Sequence, residues 1–264
     1  MTESPPEGMP ERPPLVATAH ERGIATLTLD SPPTSGGGTR NNRNALSARL
    51  VGELAQALAD CAKDESVRAV VLTHTGSTFS AGADLKAPPN PYTFVGLLRQ
   101  IVTLPKPVVA RVTGHVRAGG IGLLGACDIA AGATGADFAF TEVRIGVAPA
   151  VISLPLLPRM DPRAAERYYL TGERFDAAEA ARTGLLTLAA DDVDAALAPV
   201  LDGLRRASPQ GLAASKELLA ARVLEAFDRD AEDLVQRSAS LFASAEAREG
   251  MTAFLERRDP AWVW

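Results

Sequence analysis

Two segments, SVRAVVLTHTG (66–76) and KPVVARVTG (106–114), are apolar through their centres without alternation, and they constrain this chain more than any other feature. A strand covered on one face alternates apolar and polar residues; a strand without alternation has to be covered on both. Between the two runs, FVGLLRQIVTLP carries apolar residues at helical spacing and is stopped by Pro105 and Pro107. Buried strands separated by helices predict an α/β fold.

The flanking sequence extends the pattern. LVATAHERGIATLTLD alternates about a His20–Gly23 turn and predicts a β-hairpin ending at Asp30. SPPTSGGGTRNNR predicts a mobile loop, and NALSARLVGELAQALADCAKD a helix capped by Ser47. GGIGLLGACDIAAGA predicts a glycine-led helix feeding a short strand, and ADFAFTE a further strand. VISLPLLPRM and PRAAERYYLTG predict helix, and FDAAEAARTG a short helix closed by Gly184. Beyond Asp191 the pattern is helical in three pieces: DDVDAALAPVLDGLRRA, PQGLAASKELLAARVLEA and AEDLVQRSASLFASAEAREGMTAFLERR. The chain therefore divides into a disordered, Pro- and Glu-rich tail (1–14), a βα core (15–190) and a helical region (191–264), with no long linker.

Composition narrows the class of partner. A formal net charge of −5 argues against nucleic acid, which selects for a basic stripe. No run approaches the roughly 18 apolar residues of a membrane helix, and MTESPPEGMPERPP has no apolar core for a signal peptide. A cytoplasmic protein with buried free thiols at Cys61 and Cys127 is expected. His20 and His74 lack Cys or carboxylate partners at ligand spacing, so no metal is expected.

Two small-residue turns are the places for chemistry. STFSAGADLK (77–86) follows a buried strand, and its small side chains let a ligand approach the backbone amides closely. A serine-hydrolase elbow, G-x-S-x-G about Ser80, fails because position 78 is Thr. HVRAGGIGLLGACD (115–128) holds a literal G-x-G-x-x-G at Gly120, Gly122 and Gly125, with Glu142 downstream, which reads as a dinucleotide site. Four residues, HVRA, separate Gly114 from the Gly119–Gly120 pair, though, and the helix is short. A glycine-led helix start can instead present free N–H groups to developing negative charge.

FSAGADLK, then VTGHVRAGGIGLLGACDIA, FAFTEVRIGVAPA and YLTGERFDAAEAARTGLL, in that order, resemble the motif set of the crotonase (enoyl-CoA hydratase/isomerase) family. NALS upstream and SPQGLAASKELL and GMTAFLERRDPAW downstream also fit, from about residue 15 to the end. The resemblance implies a spiral of repeated ββα units in two near-perpendicular sheets with a C-terminal helical extension. It implies a CoA-thioester substrate whose carbonyl lies between the N–H groups of Ala83 and Gly119. Ala45, Ala81, Asp84 and Leu85 would lie along the CoA moiety, which is part of the substrate, so no separate cofactor is implied. It further implies assembly into homotrimers or dimers of trimers through the C-terminal helices.

Family hydratases commonly use two glutamates to place a water and move a proton. The second matches Glu142, at the end of a strand; the first would fall at Gly122, where no carboxylate exists. A single glutamate fits double-bond isomerisation, or hydration with the water held by other groups. A non-hydrating acyl-CoA-binding relative is the remaining alternative. GGIGLLGACD with TEVRIGVAPAVIS is similar to hydratases of branched or carboxylated enoyl-CoAs, of the methylglutaconyl and isohexenylglutaconyl types. On that reading Arg117 or Arg144 would answer a substrate carboxylate. The short APPNPY segment and the TSGGG-lengthened loop imply an acyl preference unlike that of short-chain hydratases.

Overall fold

A computed structural model describes residues 13–31 and 43–264; most of the expected tail and of the TSGGG loop lies outside the described residues. The hairpin forms from β1 (Val16–Glu21) and β2 (Ile24–Leu29), turning at Arg22 and Gly23, both with positive φ. Helix α1 (Ala48–Lys63) starts where the Ser47 hydroxyl accepts the Leu50 N–H, and its Leu50, Val51, Leu54, Leu58 and Cys61 form one buried stripe.

Successive strand pairs then alternate between two sheets. β3 (Ala69–His74), β5 (Val108–Val112) and β7 (Ile129–Ala133) join a six-stranded sheet of order β1-β2-β3-β5-β7-β10, parallel except for the hairpin. Each is followed at once by a short strand of a second sheet: β4 (Thr78–Ser80), β6 (His115–Arg117) and β8 (Asp137–Ala139). Helix α2 (Pro91–Thr103) returns the chain after the first pair, and α3 (Gly119–Ala126) after the second. This is the expected ββα repeat. After β8 come the 3-10 helix Thr141–Ile145, α4 (Ser153–Leu156) and α5 (Pro162–Thr171). β9 (Phe175–Asp176), α6 (Ala177–Arg182) and β10 (Leu188–Ala190) complete both sheets.

The unalternating runs are explained by what covers them. Along β3, Val70 and Leu72 enter the main core while Ala69 and Val71 enter a second cluster, with Val109 of β5 and Ala131 of β7. That outer cluster is sealed by Val193 and Leu197 of α7 (Val193–Arg206). The start of the helical region is thus part of the sheet's own packing.

The C-terminal helices break elsewhere than the sequence reading places the division. α8 runs unbroken from Pro209 to Phe242 through EAFDRDAED, because that polar stretch contains neither Gly nor Pro. The chain stops at Ala243 and restarts as α9 (Ala245–Glu256), whose Ala247 N–H is capped by the Ser244 hydroxyl. α8 is anchored by Lys216, a buried side chain whose ammonium meets Asp128 at 2.7 Å and donates to the carbonyls of Ile101 and Lys106.

Candidate active site

The first small-residue turn is held by its neighbours and leaves one amide over. The Ser80 hydroxyl donates to the Asn44 carbonyl (2.9 Å) and accepts the Gly82 N–H (3.2 Å), so it is a structural staple and not a nucleophile. Ala81 N–H donates to the Arg43 carbonyl, Leu46 N–H to the Gly82 carbonyl, and Asp84 N–H to the Leu46 carbonyl. Leu46 therefore pairs with Ala83 as a parallel bridge that engages only the residues on either side of Ala83. Geometry then turns Ala83's own N–H away from Leu46. The same pairing of 43–47 with 80–84 brings Ala45, Ala81 and Asp84 together, with Leu85 next in line.

The second turn lies against the first. Ala118 sits at φ 47°, ψ −121°, a conformation L-residues avoid, and its N–H donates to the Ala139 carbonyl (3.2 Å). Gly119 follows as the first residue of α3, at the positive end of the helix dipole. A β-carbon on Gly82, itself at φ +88°, would lie 2.8 Å from the Ala118 β-carbon and 3.6 Å from the Gly119 nitrogen. Among the described residues, neither the Ala83 N–H nor the Gly119 N–H donates a hydrogen bond. Two free amide donors thus stand on touching turns.

The G-x-G-x-x-G of this helix is used for packing. β-carbons on Gly120, Gly122 and Gly125 would come within 2.7, 2.5 and 2.5 Å of Ser80, Ile152 and Leu156 respectively. Those faces are filled by the protein itself and leave no room for a pyrophosphate, so the dinucleotide reading falls. Gly122, where a first glutamate was sought, is covered by Ile152.

Glu142 lies not at a strand end but inside the 3-10 helix, and it is 8% exposed, where a solvated strand-end carboxylate would be open. The helix follows β8, whose Ala139 carbonyl holds Ala118, so Glu142 is carried by the element that braces the second turn. Among the described residues its Oε2 is buried without a hydrogen-bond partner. Burial pushes the carboxyl up from its ordinary 4.5 to about 7, against a smaller lowering by its own backbone N–H. Such a group both takes and gives a proton near neutrality. The 3-10 helix is footed on α9: a β-carbon on Gly250 would lie 2.5 Å from the Ile145 backbone, and one on Gly146 2.7 Å from the backbone of Glu246.

The two arginines are placed otherwise than a carboxylate-binding role requires. Arg117 gives its guanidinium to the Asp137 carboxylate (2.6 Å) and to the carbonyls of Val116 and Asp137. Arg144 is exposed beside Gly172. His115 pairs with the same Asp137 at 2.7 Å. A cavity of about 660 Å³ opens between the 148–158 segment and α8; Tyr169 and Ser153 line it, whereas Ala83, Gly119 and Glu142 do not. Sequence reasoning missed Ile152 and Tyr169. Nothing in local spacing marks the first, and only an adjacent pair of tyrosines marks the second.

Residues 20–263 match the family model described as enoyl-CoA hydratase/isomerase. A solved enoyl-CoA hydratase from Mycobacterium avium is 53% identical, superposes with a TM-score of 0.86, and is matched over 94% of this chain and 99% of its own. One from Shewanella pealeana is 33% identical, with a TM-score of 0.71 and coverage of 94% and 96%. A carnitinyl-CoA dehydratase from Citrobacter koseri is 32% identical over 90% of this chain and 94% of its own.

Proposed function

The chain belongs to the enoyl-CoA hydratase/isomerase family, and on that footing we propose that it adds water to an enoyl-CoA thioester with Glu142 as its single acid/base. The thioester carbonyl oxygen takes the two free donors, Ala83 N–H and Gly119 N–H. Ala45, Ala81, Asp84 and Leu85 lie along the CoA moiety, and the coenzyme A of the substrate is the only cofactor required.

In the forward direction Glu142 accepts a proton as the water oxygen bonds to Cβ. The C=C electron pair moves to Cα and the thioester, giving an enolate whose oxygen is held by the two amides. Cα then takes the proton back from Glu142, so one water has been added and the carboxylate is regenerated. One oxyanion donor of this kind is worth about 3–4 kcal/mol in the transition state. A branched or glutaconyl-type acyl group is the proposed substrate class, and the working assembly is a homotrimer or dimer of trimers.

The observation that carries this reading is Glu142 itself, a buried carboxyl with one oxygen unpartnered among the described residues and a pKa pushed up by burial to about 7. A second reading, in which Glu142 carries a proton between C2 and C4 so that the double bond shifts between C3=C4 and C2=C3, is favoured by the occupation of the Gly122 site by Ile152, since isomerisation needs no placed water. Panels of 2-enoyl-, 3-enoyl- and glutaconyl-type CoA esters, run with wild type and Glu142→Gln, separate the two. Water addition abolished by the substitution supports hydration, and double-bond migration alone supports isomerisation. Ligand binding without turnover by the wild type makes the chain a non-catalytic relative.

A further inference from the structure

Hydration with one carboxylate leaves the water with too few anchors, and Ile152 bars a second carboxylate from position 122. A further polar group stands on α5. Three buried side-chain oxygens or nitrogens lack a hydrogen-bond partner among the described residues: Ser31 Oγ, Glu142 Oε2 and Tyr169 Oη. Ser31 stands at the edge of the described residues. The other two belong together. The Tyr169 ring packs on Phe140, centroids 4.4 Å apart, and Phe140 caps the 3-10 helix that carries Glu142. Tyr169 also lines the cavity beside Ser153, Pro149 and Ala150.

Resting on the hydratase reading above, we propose that Tyr169 is a further catalytic residue, its hydroxyl holding the water that Glu142 deprotonates, with Ser153 as the third contact. Donor and acceptor capacities agree. A Tyr hydroxyl donates to the water oxygen; Glu142 Oε2 accepts one water proton. Ser153 has given its own proton to the Pro149 carbonyl (2.7 Å), so its oxygen is left to accept the other. One lone pair of the water remains, and that pair is the nucleophile for Cβ. Burial and the nearby Glu142 charge keep the Tyr169 phenol protonated, so it acts as donor and does not compete as a base. Ser153 favours the phenolate slightly but does not meet hydrogen-bonding geometry with it. A water with two to four polar partners is an ordinary buried water.

Tyr169→Phe keeps the ring on Phe140 and removes only the hydroxyl; Ser153→Ala is the companion variant. On an ester that the wild type hydrates, Tyr169→Phe should lower kcat about tenfold or more with KM within twofold. Exchange of acyl protons with D2O, which needs Glu142 but no placed water, should persist. An equal fall in hydration and exchange would mean a merely structural role and overturns the proposal. So does unchanged hydration. Should no ester turn over with wild type, the hydratase reading fails, and an infrared titration of the Glu142 carboxyl still decides the geometry. Loss of a hydroxyl that steadies the carboxylate through water should raise its midpoint in Tyr169→Phe, and an unmoved midpoint refutes the shared water.

Discussion

Ile152 occupies the space that a side chain at position 122 would need, its Cγ2 lying 2.5 Å from where a Gly122 β-carbon would begin. Gly122→Ala should therefore destabilise the protein by about 1–3 kcal/mol, the usual cost of forcing an extra carbon into a packed contact. Ile152→Ala opens a cavity on its own, and the double variant should be more stable than the sum of the two single losses predicts. Urea unfolding of the four proteins closes the cycle. Strict additivity would show that the contact is slack.

Glu142→Gln should lower the rate by about 10²–10⁴-fold, the usual range for a positioned acid/base. In the wild type the base form is lost as pH falls through about 7, so hydration limited by water deprotonation should decline on the acid side of neutrality. The stability effect runs the other way. The carboxyl is protonated in both states below its ordinary 4.5. Between 4.5 and 7 only the unfolded chain ionises, so folding weakens as pH rises, by about 3 kcal/mol above pH 7. Glu142→Gln removes that loss and should be more stable than wild type at pH 8 but not at pH 4. Thermal unfolding at the two pH values tests the sign.

Ala118→Gly should stabilise the fold. The φ 47°, ψ −121° conformation costs an alanine about 1–3 kcal/mol, whereas glycine's greater freedom in the unfolded chain costs about 0.5–1 kcal/mol. The net gain of about 1 kcal/mol should appear as a higher Tm; a lower one would mean that the Ala118 methyl against Gly82 is worth more than the strain.

Replacing the Ala83 amide by an ester deletes one N–H and leaves every side chain in place. Since that N–H has no partner among the described residues, stability should hold while kcat falls about 10²–10³-fold. Loss of both together would assign the amide to the fold.

Lys216→Met strands the Asp128 carboxylate and empties two backbone carbonyls of their donor. A buried pair broken on one side typically costs about 3–5 kcal/mol. Asp128→Asn in the same background should recover part of it, as read by urea unfolding.

Much of the architecture was legible in sequence because its cause is local. AVVL is apolar throughout because alternate residues enter different clusters, and Ser47 precedes α1 because a free Leu50 N–H needs an acceptor. The two small-residue turns were legible for the same reason: few residues tolerate such backbone. What escaped was set by contacts distant in sequence. EAFDRDAED looked like a break, yet Ala226 and Phe227 are buried there and carry α8 straight through. TEVRIG does not disclose that Glu142 is buried, since the cover comes from other elements. Nor does GGIGLLG disclose that Ile152, thirty positions on, fills the gap opposite Gly122.

Gly146 and Gly250 let α9 and the 3-10 helix meet backbone to backbone, with no side chain between them to absorb a change. A substitution that shifts α9, however far it lies from the turns in sequence, therefore moves the element on which Glu142 is seated.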